Sequence, residues 1–155
     1  MRYEKSCGAV VFRREKRPHG KEQGYVLMIK HRDGGHLSFP KGHVELGEEE
    51  KTTAIREVYE ETHVRIYIGE KFRYSVHYNP RPGTEKEVVY FLAFTTQVSI
   101  SPRAGEIAGV EWVPIEEAQD ALMHENDKAV LQGALEYMEF NNQYKKVRAN
   151  ISSKH

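Results

Sequence analysis

The sequence predicts an α/β (α+β) domain in which strands form a mixed β-sheet and helices lie on its faces. Short apolar, β-branched runs separated by turn residues predict the strands, and one central and two C-terminal segments of helical periodicity predict the helices. The chain has 155 residues, of which 39% are hydrophobic, enough for one packed core. Because no repeat or linker divides it, we expect one domain over residues 1–145 and a polar tail over residues 146–155.

The first half of the chain is predicted to begin with two strands and to end with a helix. Residues 6–12 and 25–29 are apolar and β-branched, and the polar residues 13–24 between them are predicted to form a long hairpin loop. Residues 31–42 carry glycines and prolines that favour turns. They lead into residues 49–62, where apolar positions recur with helical spacing.

The second half is predicted to contain further strands followed by two helices. The predicted strands are residues 65–70, 72–78, 87–100 and 110–113. Residues 79–83 hold two prolines and a glycine, which interrupt the chain between the second and third of these strands. Residues 115–122 and 127–140 are predicted as helices, with Asp127 as the N-cap of the last one.

The charge and cysteine content exclude several classes of protein. Lys+Arg and Asp+Glu both number 23, so bulk charge does not hold the chain to nucleic acid or to an anionic membrane. No apolar run approaches the ~18–20 residues that span a bilayer. Cys7 is the single cysteine, which rules out an internal disulfide and a thiolate zinc cluster. We therefore expect a cytoplasmic monomer or weak homodimer with no membrane and no stable nucleic-acid partner.

The negative charge is concentrated in one segment. Its glutamates are Glu45, Glu48, Glu49, Glu50, Glu57, Glu60 and Glu61. On a helix, Glu57, Glu60 and Glu61 stand at i, i+3 and i+4 and share one face, and Arg56 precedes Glu60 by four residues. The spacing alone allows two interpretations: a solvated helix face, or a site for a hard divalent cation such as Mg²⁺ or Mn²⁺.

The residues around this helix favour the metal site. They follow the pattern Gly-x5-Glu-x7-Arg-Glu-U-x-Glu-Glu-x-Gly-U, in which U is aliphatic, and eight of its nine specified positions match. The matching residues are Gly42, Glu48, Arg56, Glu57, Val58, Glu60, Glu61 and Val64. This segment resembles the Nudix box. His63 stands at the family's glycine, a position after the helix where a left-handed backbone is expected, at a cost on the order of 1 kcal/mol.

The resemblance implies a Nudix-type α/β/α sandwich that binds Mg²⁺ (or Mn²⁺) and hydrolyses nucleoside diphosphates linked to another group. The implied metal ligands are Glu57, Glu60, Glu61, the Gly42 carbonyl and Glu106, a carboxylate outside the box. The implied catalytic residues are Glu57, Glu60, Glu106, Arg56 and Glu48. Among these, Glu48 and Arg56 resemble the pair that orients the helix carboxylates.

Beyond the box, residues 5–140 resemble the asymmetrical diadenosine tetraphosphate hydrolases. The likeness is carried by residues 7–13, 36–45 and 86–93. It implies that the small-molecule nucleotide substrate contacts His36, Lys41, Tyr78, Lys86 and His124. Lys41, His36 and Lys86 would bind phosphate, while Tyr78 and His124 would stack on a base. Relatives carry Phe or Tyr at the second stacking position.

The leading hypothesis is therefore cleavage of diadenosine tetraphosphate to ATP and AMP by attack of water on phosphorus. Other nucleoside polyphosphates are open alternatives, namely nucleoside triphosphates and 5′-triphosphate RNA, and so are diphosphoinositol polyphosphates. An inactive Nudix-fold binding or sensor module is disfavoured because every acidic position of the box is present. His19, His31 and His43 are expected to be solvated loop residues.

Overall fold

The computed structural model describes residues 1–105 and 107–153, in which four strands, one helix, three strands and two helices follow one another. For residues 70, 140 and 143–153 the description is limited to the backbone. The strands are β1 (Arg2–Lys16), β2 (Glu22–His31), β3 (Leu37–Ser38), β4 (Lys41–His43), β5 (Tyr67–Arg81), β6 (Thr84–Phe94) and β7 (Ile107–Pro114). The helices are α1 (Glu50–Thr62), α2 (Ile115–Ala121) and α3 (Glu125–Ser153).

The strands form one mixed sheet in the order β3-β2-β1-β6-β5, with β4 paired to β1 and β7 paired to β2. The central pair, β1 and β6, is parallel, whereas the pairs of β1 with β2 and β4, and of β5 with β6, are antiparallel. The predicted fold class, a mixed β-sheet with helices, is therefore confirmed.

Alternating side chains of β1 show how the helices cover the sheet. Val10 packs in the same core cluster as Leu131 of α3. Val11, the next residue, packs on the other side with Val58 of α1. Because successive strand side chains point to opposite faces, α1 and α3 lie on opposite sides of the sheet. This is the layered arrangement that the sequence resemblance implies.

The strands extend further into the polar segments than the sequence predicts. The long hairpin loop expected over residues 13–24 is wrong, because β1 and β2 stay paired out to Lys16 opposite Glu22. Likewise β5 runs through residues 79–81, and the turn to β6 is confined to residues 82–83, where Gly83 has φ 78°. Most of these residues, such as Arg14, Lys16 and Glu22, are polar and exposed, and even the buried Arg13 and Gln23 are polar, so hydrophobic periodicity cannot reveal the strands.

Helix α3 begins at Glu125 rather than Asp127 and extends well beyond residue 140. The predicted tail, residues 146–155, belongs to this helix as far as Ser153, and residues 154–155 lie outside the described part of the chain. Within the described residues, none of the helices combines the length and apolar character required to cross a membrane.

His63 ends α1 in the left-handed conformation predicted for this position, with φ 60° and ψ 22°. Its backbone N–H donates to the Tyr59 carbonyl at 2.8 Å, which caps the helix. Its imidazole Nδ1 lies 2.8 Å from the Ser101 carbonyl oxygen, and the ring packs edge-on against Tyr59. These contacts offset part of the backbone strain that glycine avoids.

Glu50 joins the first turn of α1 to two strands. Its carboxylate accepts hydrogen bonds from Arg73 of β5 at 2.9 and 2.7 Å, and Lys5 of β1 approaches to 2.6 Å. The hydrogen bonds of Arg73 are the main cause that lowers the pKa of Glu50 to about 2, and Lys5 adds to the effect.

We expect Glu50→Gln to change the pH dependence of stability. The folded-state pKa of Glu50 lies below its ordinary value of 4.5, so its contribution is present above about pH 4.5 and is lost as the pH falls towards 2. With the side chain 28% exposed, the contribution is about 1–2 kcal/mol.

Urea unfolding at a series of pH values measures this contribution. The free energies of unfolding of wild type and Glu50→Gln should differ near neutral pH and converge in acid. Glu49→Gln is the matched control, because Glu49 is exposed and makes no side-chain capping bond. A constant difference across the pH range would contradict the prediction.

Candidate active site

The guanidinium of Arg56 organises the acidic residues of α1 and of the loop before it. Its Nε and Nη2 donate to the two carboxylate oxygens of Glu48 at 2.8 and 2.9 Å. Nη1 donates to Glu57 at 2.7 Å and to Glu60 at 3.2 Å, and Nη2 also donates to the His43 carbonyl at 3.0 Å. One side chain thus fixes three carboxylates and the end of β4. The sequence-based pairing of Glu48 with Arg56 is present in the structure.

Glu48 is held in its ionised form. The hydrogen bonds from Arg56 lower the pKa of its carboxyl group to about 2, with a further contribution from the Thr53 hydroxyl at 2.6 Å. In turn the Glu48 carboxylate raises the pKa of Arg56. Thr53 is a partner that the sequence did not suggest, because its role depends on the loop folding back onto the first turn of α1.

Glu57 lies against Gly42 of β4. The Glu57 side chain is buried, with 8% of the residue exposed, and a Cβ atom added at Gly42 would lie 2.0 Å from its carboxylate carbon. Only glycine therefore leaves room for the carboxylate at this point. This contact explains a requirement for glycine at the first position of the box.

Glu61 of α1 binds Lys41, which precedes Gly42 in β4. The Lys41 backbone N–H donates to Glu61 Oε1 at 2.7 Å. Burial raises the pKa of Glu61 to about 7, and the nearby charge of Glu57 acts in the same direction. Glu60 is more exposed, and Arg103 lies 3.6 Å from its carboxylate. Arg103, which reaches Glu60 from the loop before β7, was not among the residues predicted for the site.

The acidic side chains provide the type of ligand that Mg²⁺ or Mn²⁺ prefers. Within the described residues, no group of three His, Cys, Asp or Glu side chains converges closely enough to form a ready metal cluster. Arg56 binds Glu57 and Glu60, while the Lys41 backbone binds Glu61. The donors are all carboxylate oxygens, and the repulsion between Glu57 and Glu61 is the kind that a divalent cation offsets. The residues therefore fit such an ion chemically. Glu106, the remaining predicted carboxylate, lies outside the described residues.

A cavity of about 400 Å³ reaches Lys41, the residue whose backbone N–H binds Glu61. Its lining residues are His31, His36, Ser38, Lys41, Val76, Tyr78, Val88, Tyr90, His124, Asn126 and Asp127. Four of the five predicted substrate contacts are thus brought together in one place: His36, Lys41, Tyr78 and His124. The fifth, Lys86, lies opposite Tyr78 in the pairing of β5 with β6. Burial, together with the charge of Lys86, lowers the pKa of Lys41.

Three histidine rings meet at one wall of this cavity. His31 stacks on His36 with ring centroids 4.3 Å apart, and His124 packs edge-on against His36 at 5.4 Å. His31 Nε2 also lies 2.6 Å from the Ser38 hydroxyl. The expectation that His31 is a solvated loop residue is therefore wrong, because the paired strands β2 and β3 bring it into the cavity wall.

Asp127 is a cavity residue that the sequence reasoning assigned to a different role. The predicted N-cap is wrong, since Asp127 lies within the first turn of α3 and is 7% exposed. The Tyr90 hydroxyl lies 3.5 Å from its Oδ1. Burial raises the pKa of Asp127, while His124 and Lys41 act against that shift. The position three residues after His124, in the first turn of the helix that follows it, is the signal that could have placed Asp127 here.

A larger groove, of about 520 Å³, lies at the other end of the sheet against α3. Aromatic side chains such as Tyr67, Phe94 and Tyr137 line it, and its described lining contains no carboxylate. Of these two, the smaller cavity adjoins the acidic residues of α1, through Lys41. A further cavity of about 320 Å³, lined by Glu61 and Arg103, lies on the acidic helix itself. We therefore assign the candidate active site to the cavity of about 400 Å³, which Lys41 lines.

Comparisons with known proteins give a consistent result. The family model described as NUDIX domain matches residues 2–133. The asymmetrical bis(5′-nucleosyl)-tetraphosphatase of Mus musculus is 31% identical over 140 residues, covering 86% of this chain and 95% of that protein. An 8-oxo-(d)GTP phosphatase of Mycolicibacterium smegmatis is 31% identical over 132 residues, which cover 82% of this chain and 40% of that protein.

Solved structures show the same likeness. The structure of a C. elegans Ap4A hydrolase binary complex matches with a TM-score of 0.74 and 26% identity. The match covers 88% of this chain and 98% of the C. elegans chain. The agreement in fold therefore extends over nearly the whole of both proteins.

The contact between Gly42 and Glu57 predicts the effect of a single methyl group. Gly42→Ala should displace the Glu57 carboxylate, because the added Cβ would overlap it. We expect the affinity for Mn²⁺, measured by titration calorimetry, to fall by roughly 10–100-fold. Gly109→Ala is the control, since a Cβ there meets nothing closer than 4.0 Å. Unchanged Mn²⁺ affinity in folded Gly42→Ala would show that Glu57 does not take part in metal binding.

Proposed function

The chain belongs to the Nudix family and is a hydrolase of phosphoanhydride bonds, and from this premise we propose that it cleaves dinucleoside polyphosphates in a reaction that depends on Mg²⁺ or Mn²⁺. The observation that carries the proposal is the position of Lys41. Its backbone N–H binds the acidic helix at Glu61, while the same residue lines the nucleotide-sized cavity. A substrate in this cavity therefore has its phosphates next to the carboxylates.

The carboxylates of Glu57, Glu60, Glu61 and Glu106 and the carbonyl of Gly42 would hold the metal. When bound, Mg²⁺ or Mn²⁺ supplies charge neutralisation at the phosphates and lowers the pKa of a water molecule. A carboxylate of the same set accepts the proton of the attacking water. Arg56 and Glu48 do not contact the substrate in this scheme, and they hold the acidic side chains in place.

Basic side chains in and beside the cavity bind the polyphosphate. Lys41 and His36 line the cavity, and Lys86 is close enough to affect the pKa of Lys41. Phosphoryl transfer depends chiefly on positioning and on stabilisation of the transferred charge, which a cluster of cations provides. Loss of the Lys41 side chain would therefore weaken both binding and catalysis.

Tyr78 and His124 would hold one base of the substrate. Both line the cavity, and Tyr78 is 37% exposed, which leaves a face of its ring free to stack. Stacking of a base on an aromatic side chain contributes about 1–3 kcal/mol. His124 packs against His36, so the base-binding and phosphate-binding side chains are in contact.

The arrangement has one base-binding end and one acidic helix, so cleavage should occur at a fixed distance from the bound base. With diadenosine tetraphosphate, water attacks the phosphate that bears one adenosine, and the triphosphate leaves as ATP. We therefore expect AMP and ATP as products, with no hydrolysis after chelation of the metal.

Hydrolysis in ¹⁸O-labelled water tests this site of attack. Mass spectrometry should find the label in AMP and not in ATP. Equal labelling of AMP and ATP, or two ADP molecules as the main product, would contradict the mechanism. Guanosine triphosphate and 5′-triphosphate RNA serve as comparison substrates, and faster turnover of either would favour a different nucleotide class.

A further inference from the structure

Asp127 is a buried carboxylate that has no part in the phosphate chemistry proposed above. It lines the cavity at the first turn of α3 and is 7% exposed. Its hydrogen bond with the Tyr90 hydroxyl, at 3.5 Å, is at the limit for such a bond. In the described part of the chain, no ion pair within 4.0 Å joins Asp127 to a lysine, arginine or histidine. An acceptor buried in this way is stabilised only if a ligand or another group donates to it.

Phosphate cannot be that ligand, because an anion next to a buried carboxylate is repelled. Lys41 and His36, the side chains that suit phosphate, also line this cavity, and both act electrostatically on Asp127. The uncharged base is therefore the part of the substrate that can donate hydrogen bonds to the carboxylate. Tyr78, the stacking residue, lies close enough for the Asp127 charge to contribute to its raised pKa, after the larger effect of burial. The edge of a base stacked on Tyr78 would thus be near the carboxylate.

The bases differ in what they offer to a carboxylate. Guanine presents two adjacent donors, N1–H and the exocyclic amino group, which match the two oxygens of a carboxylate. Adenine presents one donor, its amino group, beside the acceptor N1, which would face a carboxylate oxygen with no proton between them. Charge-assisted bidentate hydrogen bonds are the stronger kind, and an unmatched acceptor in a buried site is costly.

We propose that Asp127 selects a guanine nucleotide over an adenine nucleotide at the base-binding end of the cavity. The proposal rests on the function proposed above and specifies the substrate: a dinucleoside polyphosphate with at least one guanosine end. Diadenosine tetraphosphate is then a substrate that binds less tightly than its diguanosine counterpart. The cavity, at about 400 Å³, has the size of a site for one nucleotide end.

Binding of mononucleotides to the full chain tests the proposal without any requirement for catalysis. Titration calorimetry at mildly alkaline pH, where the carboxyl group is ionised, compares GMP, IMP and AMP. We expect GMP to bind about 10–100-fold more tightly than AMP, the discrimination of one bidentate pair. IMP, which keeps N1–H but lacks the amino group, should lie between them.

Asp127→Asn provides the second arm. An amide can accept from the adenine amino group and donate to adenine N1, so the variant should lose affinity for GMP and gain it for AMP. Asp120→Asn is the matched control, since Asp120 is exposed on α2 and should leave all three affinities unchanged. If Asp127→Asn does not fold, the order of the three nucleotides on the wild-type chain decides alone.

The outcomes separate this proposal from the others. Equal binding of GMP and AMP to the wild type would overturn the proposal. An equal loss of all three affinities in Asp127→Asn would also overturn it, because Asp127 would then act only by positioning Lys41. Hydrolysis of the diguanosine and diadenosine tetraphosphates is measured in parallel. If neither is cleaved while GMP is preferred, the proposed function fails and the role of Asp127 in base selection stands.

Discussion

The set of hydrogen bonds made by the Arg56 guanidinium is the interaction on which the acidic site depends. Like charges on one helix face repel, and α1 places Glu57, Glu60 and Glu61 within one turn. Arg56 donates to Glu57 and Glu60 and forms a bidentate pair with Glu48 of the preceding loop. This planar group with several donors gives the loop and the helix carboxylates a common partner, in addition to the hydrogen bond from Thr53 of α1 to Glu48. A lysine, with a single point of charge, could not replace Arg56.

The same arrangement connects the acidic helix to the cavity. Arg56 also donates to the carbonyl of His43, the last residue of β4. In the same strand, Gly42 lies against the Glu57 carboxylate, and the Lys41 N–H donates to Glu61. Because β4 pairs with β1, the helix is held against the centre of the sheet. Lys41 of β4 joins the acidic helix to the cavity, because its backbone N–H donates to Glu61 of α1 and the residue also lines the cavity. A short strand therefore sets the distance between the carboxylates and the cavity.

The sequence predicts local features of this site well. The helix expected over residues 49–62 is α1, and the left-handed residue expected at His63 is present. Both depend on spacing and on conformational preferences within a few residues. The resemblance to the asymmetrical diadenosine tetraphosphate hydrolases also supplied four of the residues that line the cavity, namely His36, Lys41, Tyr78 and His124, and their roles stay predictions.

Features that depend on packing between distant segments could not be predicted in this way. Asp127 has the sequence context of a helix cap, and its burial follows from the way α3 crosses the sheet next to Tyr90. His31 lies in a polar, turn-rich segment, but it stacks on His36 because β2 and β3 pair. The paired extension of β1 and β2 is polar on both faces, so no hydrophobic pattern marks it.

The central claim is that the carboxylates of α1 and the adjoining cavity form one metal-dependent active site. Steady-state hydrolysis of diadenosine tetraphosphate with Mg²⁺ by Glu60→Gln tests it most directly. Glu60 is 39% exposed, so its replacement leaves no buried charge unpaired, and Glu49→Gln is the matched control. The account predicts that kcat falls by at least ~10²-fold in Glu60→Gln and is unchanged in the control. Near-normal turnover in folded Glu60→Gln would contradict it.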